Sequence, residues 1–151
     1  MKWGKVVQWV LGIVVFFGVP LFLSSDSFLT WMYEKSYTSN WSNAATVHLN
    51  VAGFFRYTYR LERSGEVNEL FCSRYPQDIR YPDAVYDAAV AFRDIGADLE
   101  MQAKGDPDLI QKRIDVRKKA MEWYDFLAQK HPQHPKADIA RRAAQAIRDG
   151  Y

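Results

Sequence analysis

Residues 6–24, VVQWVLGIVVFFGVPLFLS, run for nineteen positions with no charge and one strongly polar side chain, Gln8. At a rise of about 1.5 Å per residue such a run reaches roughly 29 Å as a helix. That is close to the ~30 Å hydrocarbon thickness of a bilayer, and peptide groups in lipid must find partners within a helix. The pattern predicts one N-terminal transmembrane helix, bent near Pro20, whose ring removes a hydrogen bond from the preceding turn. The run is longer than the ~7–15 residues of a secretory signal core, and no small-x-small site follows it. A retained signal anchor is therefore expected rather than a cleaved leader.

The pattern changes after residue 25. Residues 26–43 alternate aromatic rings with Ser, Thr and Asn and read as a juxtamembrane collar. Over residues 44–63, Val47, Leu49, Val51, Phe55, Tyr57, Tyr59 and Leu61 alternate with polar side chains, as in a strand. Ala45, Leu49, Ala52, Phe55 and Tyr59 also form a helical stripe. Helix is the expectation, because no second strand of similar quality follows and a lone hairpin is marginal; the competing arrangement is a strand pair turning at Gly53. Ser64-Gly65 is expected to break the chain, and a short helix to follow over residues 66–75.

From Asp83 to Lys104 the periodicity is clean, with Val85, Ala88, Ala89, Phe92, Ile95, Leu99 and Ala103 on one face. Asp106 is a good N-cap and Pro107 suits a first helical position, so a helix to Lys130 is expected. Its inward stripe should hold Ile110, Ile114, Met121, Tyr124 and Ala128, with Ala120, Trp123 and Leu127 beside it. A last helix, residues 136–149, should point Ala140, Ala143, Ala144 and Ile147 inward. The fold class expected is mainly α: an anchor over residues 1–25, the collar over 26–43, and a small antiparallel helical domain over 44–151.

Two stretches are alike. Residues 69–96 and 125–150 each carry an apolar pair (Leu70-Phe71; Phe126-Leu127), an aromatic ring, Pro-Gln (Pro76-Gln77; Pro132-Gln133), a further proline (Pro82; Pro135), an alanine two later (Ala84; Ala137) and an Ala-rich helix. Gaps are needed to align them on these marks. The pattern describes a helix–turn–helix unit used twice, with small residues allowing close packing. On Phe126, Leu127, His131, Pro132, Pro135 and Ala137, and more loosely Tyr81, Pro82, Ala84, Tyr86 and Ala88, about half of the chain resembles tetratricopeptide-like helical repeats of the bacterial periplasmic kind. Units of that family repeat at about 34 residues, whereas the Pro-Gln pairs here lie 56 positions apart. The resemblance implies a protein-binding scaffold with no chemistry of its own.

Charge sets an orientation. Lys2, Lys5 and the amino terminus precede the apolar run, and no Lys or Arg follows it until Lys35. The excess of positive charge on one side predicts a cytoplasmic N-terminus, with the bulk of the chain in the periplasm of a bacterial inner membrane. Residues 76–151 carry 13 Lys/Arg against 13 Asp/Glu, which argues against nucleic acid as a partner. Aromatics reach 15%, more than a small core needs, so some are expected to face a partner or the membrane surface. Candidates for membrane or partner docking are Trp9, Pro20, Phe28, Trp31, Tyr33 and Trp41; candidates for protein interaction are Tyr81, Tyr86, Trp123 and Tyr124.

Candidate chemistry is thin. Cys72 stands alone, so no internal disulfide forms, and burial between Phe71 and Tyr75 is the simplest reading. His48, His131 and His134 have no metal-ligand spacing, and no Gly-rich loop precedes a helix. No cofactor, no metal and no catalysis are expected. The reading is a non-catalytic single-pass accessory subunit of a larger respiratory, photosynthetic or transport membrane complex. Its partners would be integral membrane subunits and the lipid bilayer, with lipid or pigment contacts along the anchor. The alternative is an independent anchored module that binds peptides or unfolded clients.

Overall fold

The computed structural model describes residues 23–150. Six helices form among them and no strand: α1 (Asp26–Thr38), α2 (Ala44–Tyr57), α3 (Leu61–Arg74), α4 (Tyr81–Ala103), α5 (Pro107–Lys130) and α6 (Ala137–Arg148). The chain divides into two compact units, Met1–Val47 and His48–Tyr151.

The expected membrane-crossing helix is corrected. Among the described residues no helix is long and apolar enough to cross a membrane. The two helices of sufficient length, α4 with 23 residues and α5 with 24, are interrupted by charged side chains throughout. Most of the apolar run, Trp9 and Pro20 included, lies outside the described residues. The first part of the expected collar is a helix. Helix α1 has its own start: Ser25 is extended (φ −69°, ψ 146°) and its hydroxyl accepts the Phe28 N–H at 3.3 Å. A cap of this kind begins a new helix instead of extending an old one.

Residues 44–57 are helix, as expected over the strand alternative. The break falls at residues 58–60, not at Ser64-Gly65. Thr58 Oγ1 turns back onto the Phe54 carbonyl at 2.9 Å, and Tyr59 takes a left-handed φ of +58°. Ser64 and Gly65 lie inside α3 because their smallness is used for packing. Ser64 Oγ donates to the Ala52 carbonyl of α2 at 3.0 Å. A Cβ on Gly65 would stand 2.9 Å from the Phe92 ring of α4.

Within the second unit α4 packs against α3 and α5, and α5 against α6. Its predicted stripe is buried in full: Val85, Ala88, Ala89, Phe92, Ile95, Leu99 and Ala103. Phe92 is the junction. Gly65 meets the ring, and the Lys119 ammonium of α5 stands 4.2 Å from its centroid, a cation–π contact. On α5, Ala120, Tyr124, Leu127 and Ala128 are buried, but Ile114 is 49% exposed, against the prediction. Lys104 and Gly105, at φ +30° and +95°, end α4 in left-handed geometry. Asp106 Oδ1 then accepts the Asp108 and Leu109 N–H groups at 2.9 and 3.4 Å to start α5.

The likeness between the two hairpins is closer in structure than in sequence, and it needs no gap. At a constant offset of 56 positions, the turn bonds Tyr75→Phe71, Asp78→Tyr75, Tyr81→Asp78 and Ala84→Arg80 recur as His131→Leu127, His134→His131, Ala137→His134 and Ala140→Lys136. The residues ending the first helices, Tyr75 and His131, have φ/ψ of −129°/55° and −130°/56°. Those preceding the second helices, Arg80 and Lys136, have −87°/0° and −91°/−1°. Burial repeats as well: Phe71 and Leu127, Ala84 and Ala140, and Ala88 and Ala144 are each fully buried. Thus Ala84 corresponds to Ala140, not Ala137, and Pro82 does not correspond to Pro135. Pro76-Gln77 and Pro132-Gln133 already stand at that offset, but pairing Pro82 with Pro135 needed a gap and lost the register beyond the turn.

Candidate functional site

Helix α1 carries an outward aromatic pair. The Phe28 and Trp31 rings lie 5.8 Å apart, and Trp31 is 55% exposed. Trp41, in the turn after α1, is also exposed, whereas Tyr33 is buried. Phe28, Trp31 and Trp41 therefore present rings at the surface of the first unit, and Tyr33 does not.

The four interaction candidates of the second unit come together, but in a seam between the two hairpins. Tyr81 packs on Phe126 and His131, with centroids at 6.3 and 5.7 Å. Tyr86 meets Tyr124 edge-on at 5.8 Å, and the Lys136 ammonium lies 4.7 Å from the Tyr86 centroid. Trp123 donates its indole N–H to Glu69 Oε1 at 3.0 Å. Tyr124 is fully buried, and its hydroxyl has no hydrogen-bond partner. Burial, opposed by Arg93, pushes that phenol up to about 12. These rings hold α3, α4, α5 and the following turn together.

The basic run of α5 is paired with acids. Lys112 pairs with Glu62 at 2.7 Å, Lys119 with Glu69 at 2.7 Å, Lys118 with Glu122 at 4.0 Å, and Arg113 and Arg117 both with Glu100. All but the exposed Lys118–Glu122 pair, which lies within α5, tie α5 to α3 or α4.

His48 is fully buried with Nε2 3.0 Å from Arg74. A guanidinium only donates, so Nε2 accepts and the ring is held in one tautomer. His134 Nδ1 accepts the Lys136 N–H at 3.3 Å, serving the turn. Cys72 is buried as a free thiol, and burial, aided by Glu69, pushes it up to about 12. It is a protonated packing group at neutral pH. Among the described residues no cluster of His, Cys, Asp or Glu could hold a metal ion.

Two grooves open among the described residues of the second unit. A groove of about 700 Å³ lies where the α2–α3 turn meets the second half of α4, lined by Gly53, Tyr57, Tyr59, Asp94, Ala97 and Asp98, with Arg56 and Leu61. Tyr57 and Tyr59 are 84% and 87% exposed, although the sequence alternation placed them with the core residues Val51 and Phe55. Arg56 is held by Asp87 at 3.3 Å. Burial raises the Asp87 carboxyl, against the pull of Lys136 and Arg56. A smaller groove of about 230 Å³ shares Gly53 and Arg56 and continues past Asp83 and Asp87. The signal that could have found this place is Gly53: a mid-helix glycine with nothing within 4 Å of its would-be Cβ.

Compared with known proteins, the chain matches no family model, no curated protein and no solved structure.

Proposed function

We propose that the chain is a non-catalytic scaffold, an accessory subunit of a larger assembly at a membrane, which attaches through its helical-hairpin domain. The observation that carries this reading is the two-fold use of one hairpin with near-identical turn geometry at an offset of 56 positions. Stacked hairpins of this kind build extended surfaces whose contacts suit protein partners. The resemblance to tetratricopeptide-like repeats points the same way. The exposed Trp31 and Trp41 rings supply amphipathic surface of the kind found at headgroup depth, so the first unit is assigned to the membrane face of that assembly.

A second reading, an independent peptide-binding module, is favoured by one specific feature, the groove beside Tyr57 and Tyr59. Photocrosslinking in cells separates the two. A benzoylphenylalanine placed at Ile139, which is 46% exposed on α6, and another at Tyr57 should give the same few adducts of fixed mass if the chain is a subunit. A smear of many transient adducts would favour the module. Absence of any adduct from either position would sink both.

A further inference from the structure

We propose that the groove between the α2–α3 turn and α4 seats an extended, cationic segment of a partner protein. The inference rests on the scaffold reading and gives it a contact site.

Three independent features converge on the groove. Glycine inside a helix costs about 0.5–1 kcal/mol relative to alanine. Gly65 and Gly96 have a packing reason, since a Cβ would press on Phe92 or Arg117, but Gly53 has none and leaves bare backbone in the groove. Next, two large rings stand in water at its rim, and Tyr59 is held there in left-handed geometry, which is costly for a side chain with a Cβ. Last, the acceptors on the α4 wall are not saturated. Arg93 bonds only Oδ1 of Asp94, at 3.0 and 2.7 Å, and among the described residues Asp98 has no ion-pair partner.

The occupant follows from this chemistry. Tyrosine faces opposite carboxylates recognise ammonium and guanidinium groups, by cation–π attraction and charge-assisted hydrogen bonds. The one cation in the lining, Arg56, is already engaged by Asp87. Carboxylates repel phosphates, which turns away nucleic acid. Asp83 and Asp87, in the smaller groove, are already engaged by Lys136 at 2.8 Å and Arg56 at 3.3 Å, so the acceptors offered are Asp94 Oδ2 and Asp98, four positions apart on one face of α4. Four positions of helix span about 6 Å. An extended strand rises about 3.3 Å per residue, so alternate cationic side chains, about 6.6 Å apart, match that pair.

The test uses the full chain and three fluorescein-labelled ten-residue peptides: Lys/Arg alternating with Leu, the same with Glu in place of Lys/Arg, and the same with Gln. Fluorescence anisotropy should show the cationic peptide binding and the acidic one not. D94N/D98N should weaken the cationic peptide about tenfold or more, the loss of roughly 1.4 kcal/mol. Gly53→Trp should abolish binding by filling the groove, and Asp138→Asn on α6 should leave it unchanged. Both aspartates are at the surface, so the double variant keeps the proposal testable if Gly53→Trp does not fold. Equal binding of the three peptides, or wild-type affinity in D94N/D98N, would overturn the assignment. If the native assembly forms equally well with D94N/D98N and Gly53→Trp, the groove is wrong and the scaffold role stands. If the wild-type chain joins no assembly, the scaffold role and the groove fall together.

Discussion

Gly53 and Gly65 look alike in the sequence, each a glycine among helix formers, yet the structure gives them opposite requirements. Gly53→Ala adds a Cβ into open space and removes backbone freedom from the unfolded chain, so it should stabilise by about 0.5–1 kcal/mol. Gly65→Ala drives a methyl onto the buried Phe92 ring and should destabilise by about 1–3 kcal/mol. Urea unfolding of the two variants reads both signs. Cys72 gives a second prediction at this scale. Its thiol rises from 9.0 to about 12 on burial, and Tyr124 from 10.0 to about 12. Each keeps its proton longer in the fold than in the unfolded chain. The stability they contribute is therefore complete below about pH 9 and is lost as pH rises toward 12. Urea midpoints should fall above pH 9, with a smaller fall in Cys72→Ala, and dithionitrobenzoate should label the native thiol at pH 8 only as fast as the chain opens.

Among the elements, α5 has the most explicit start. Asp106 caps two N–H groups and Pro107 follows in the first turn, so Asp106→Ala should cost about 1 kcal/mol in urea unfolding. Helices α4, α5 and α6 were legible within a few residues, because a 3.6-residue stripe and a proline agreed at each start, joined at α5 by the Asp106 cap. The break between α2 and α3 was not. Gly is the usual stop signal, and Gly65 was read as one, but its missing side chain serves the Phe92 contact 27 positions away. Conversely, the real turn at residues 58–60 contains no glycine or proline; Tyr59 simply adopts φ +58°. Period-two alternation through Tyr57 and Tyr59 therefore imitated a strand, and the expected helical stripe took in Tyr59, which stands clear of the core as Tyr57 does.

For the molecule as a whole, Pro76-Gln77 and Pro132-Gln133 showed the doubled hairpin and its offset of 56, but pairing Pro82 with Pro135 beyond them broke that register. The turn geometry is set by backbone bonds at Tyr75, Asp78 and Tyr81, and of their counterparts His131, His134 and Ala137 only His131 keeps a like side chain, an aromatic ring. The candidate site was legible only in part. Tyr81, Tyr86, Trp123 and Tyr124 were picked out as aromatic excess and prove to lock the hairpins together. The exposed rings beside Gly53 depend on a turn the pattern concealed. The basic run on α5 also changed meaning, since its partners Glu62, Glu69 and Glu100 are 50, 50 and 13 to 17 positions away and no local pattern pairs them. If this chain works, as proposed, as a fixed part of a larger assembly, gentle extraction of the full chain from its own cells followed by native mass measurement should yield a discrete complex of constant stoichiometry well above 17.6 kDa. A monodisperse species at 17.6 kDa, with no co-purifying subunit, would contradict it.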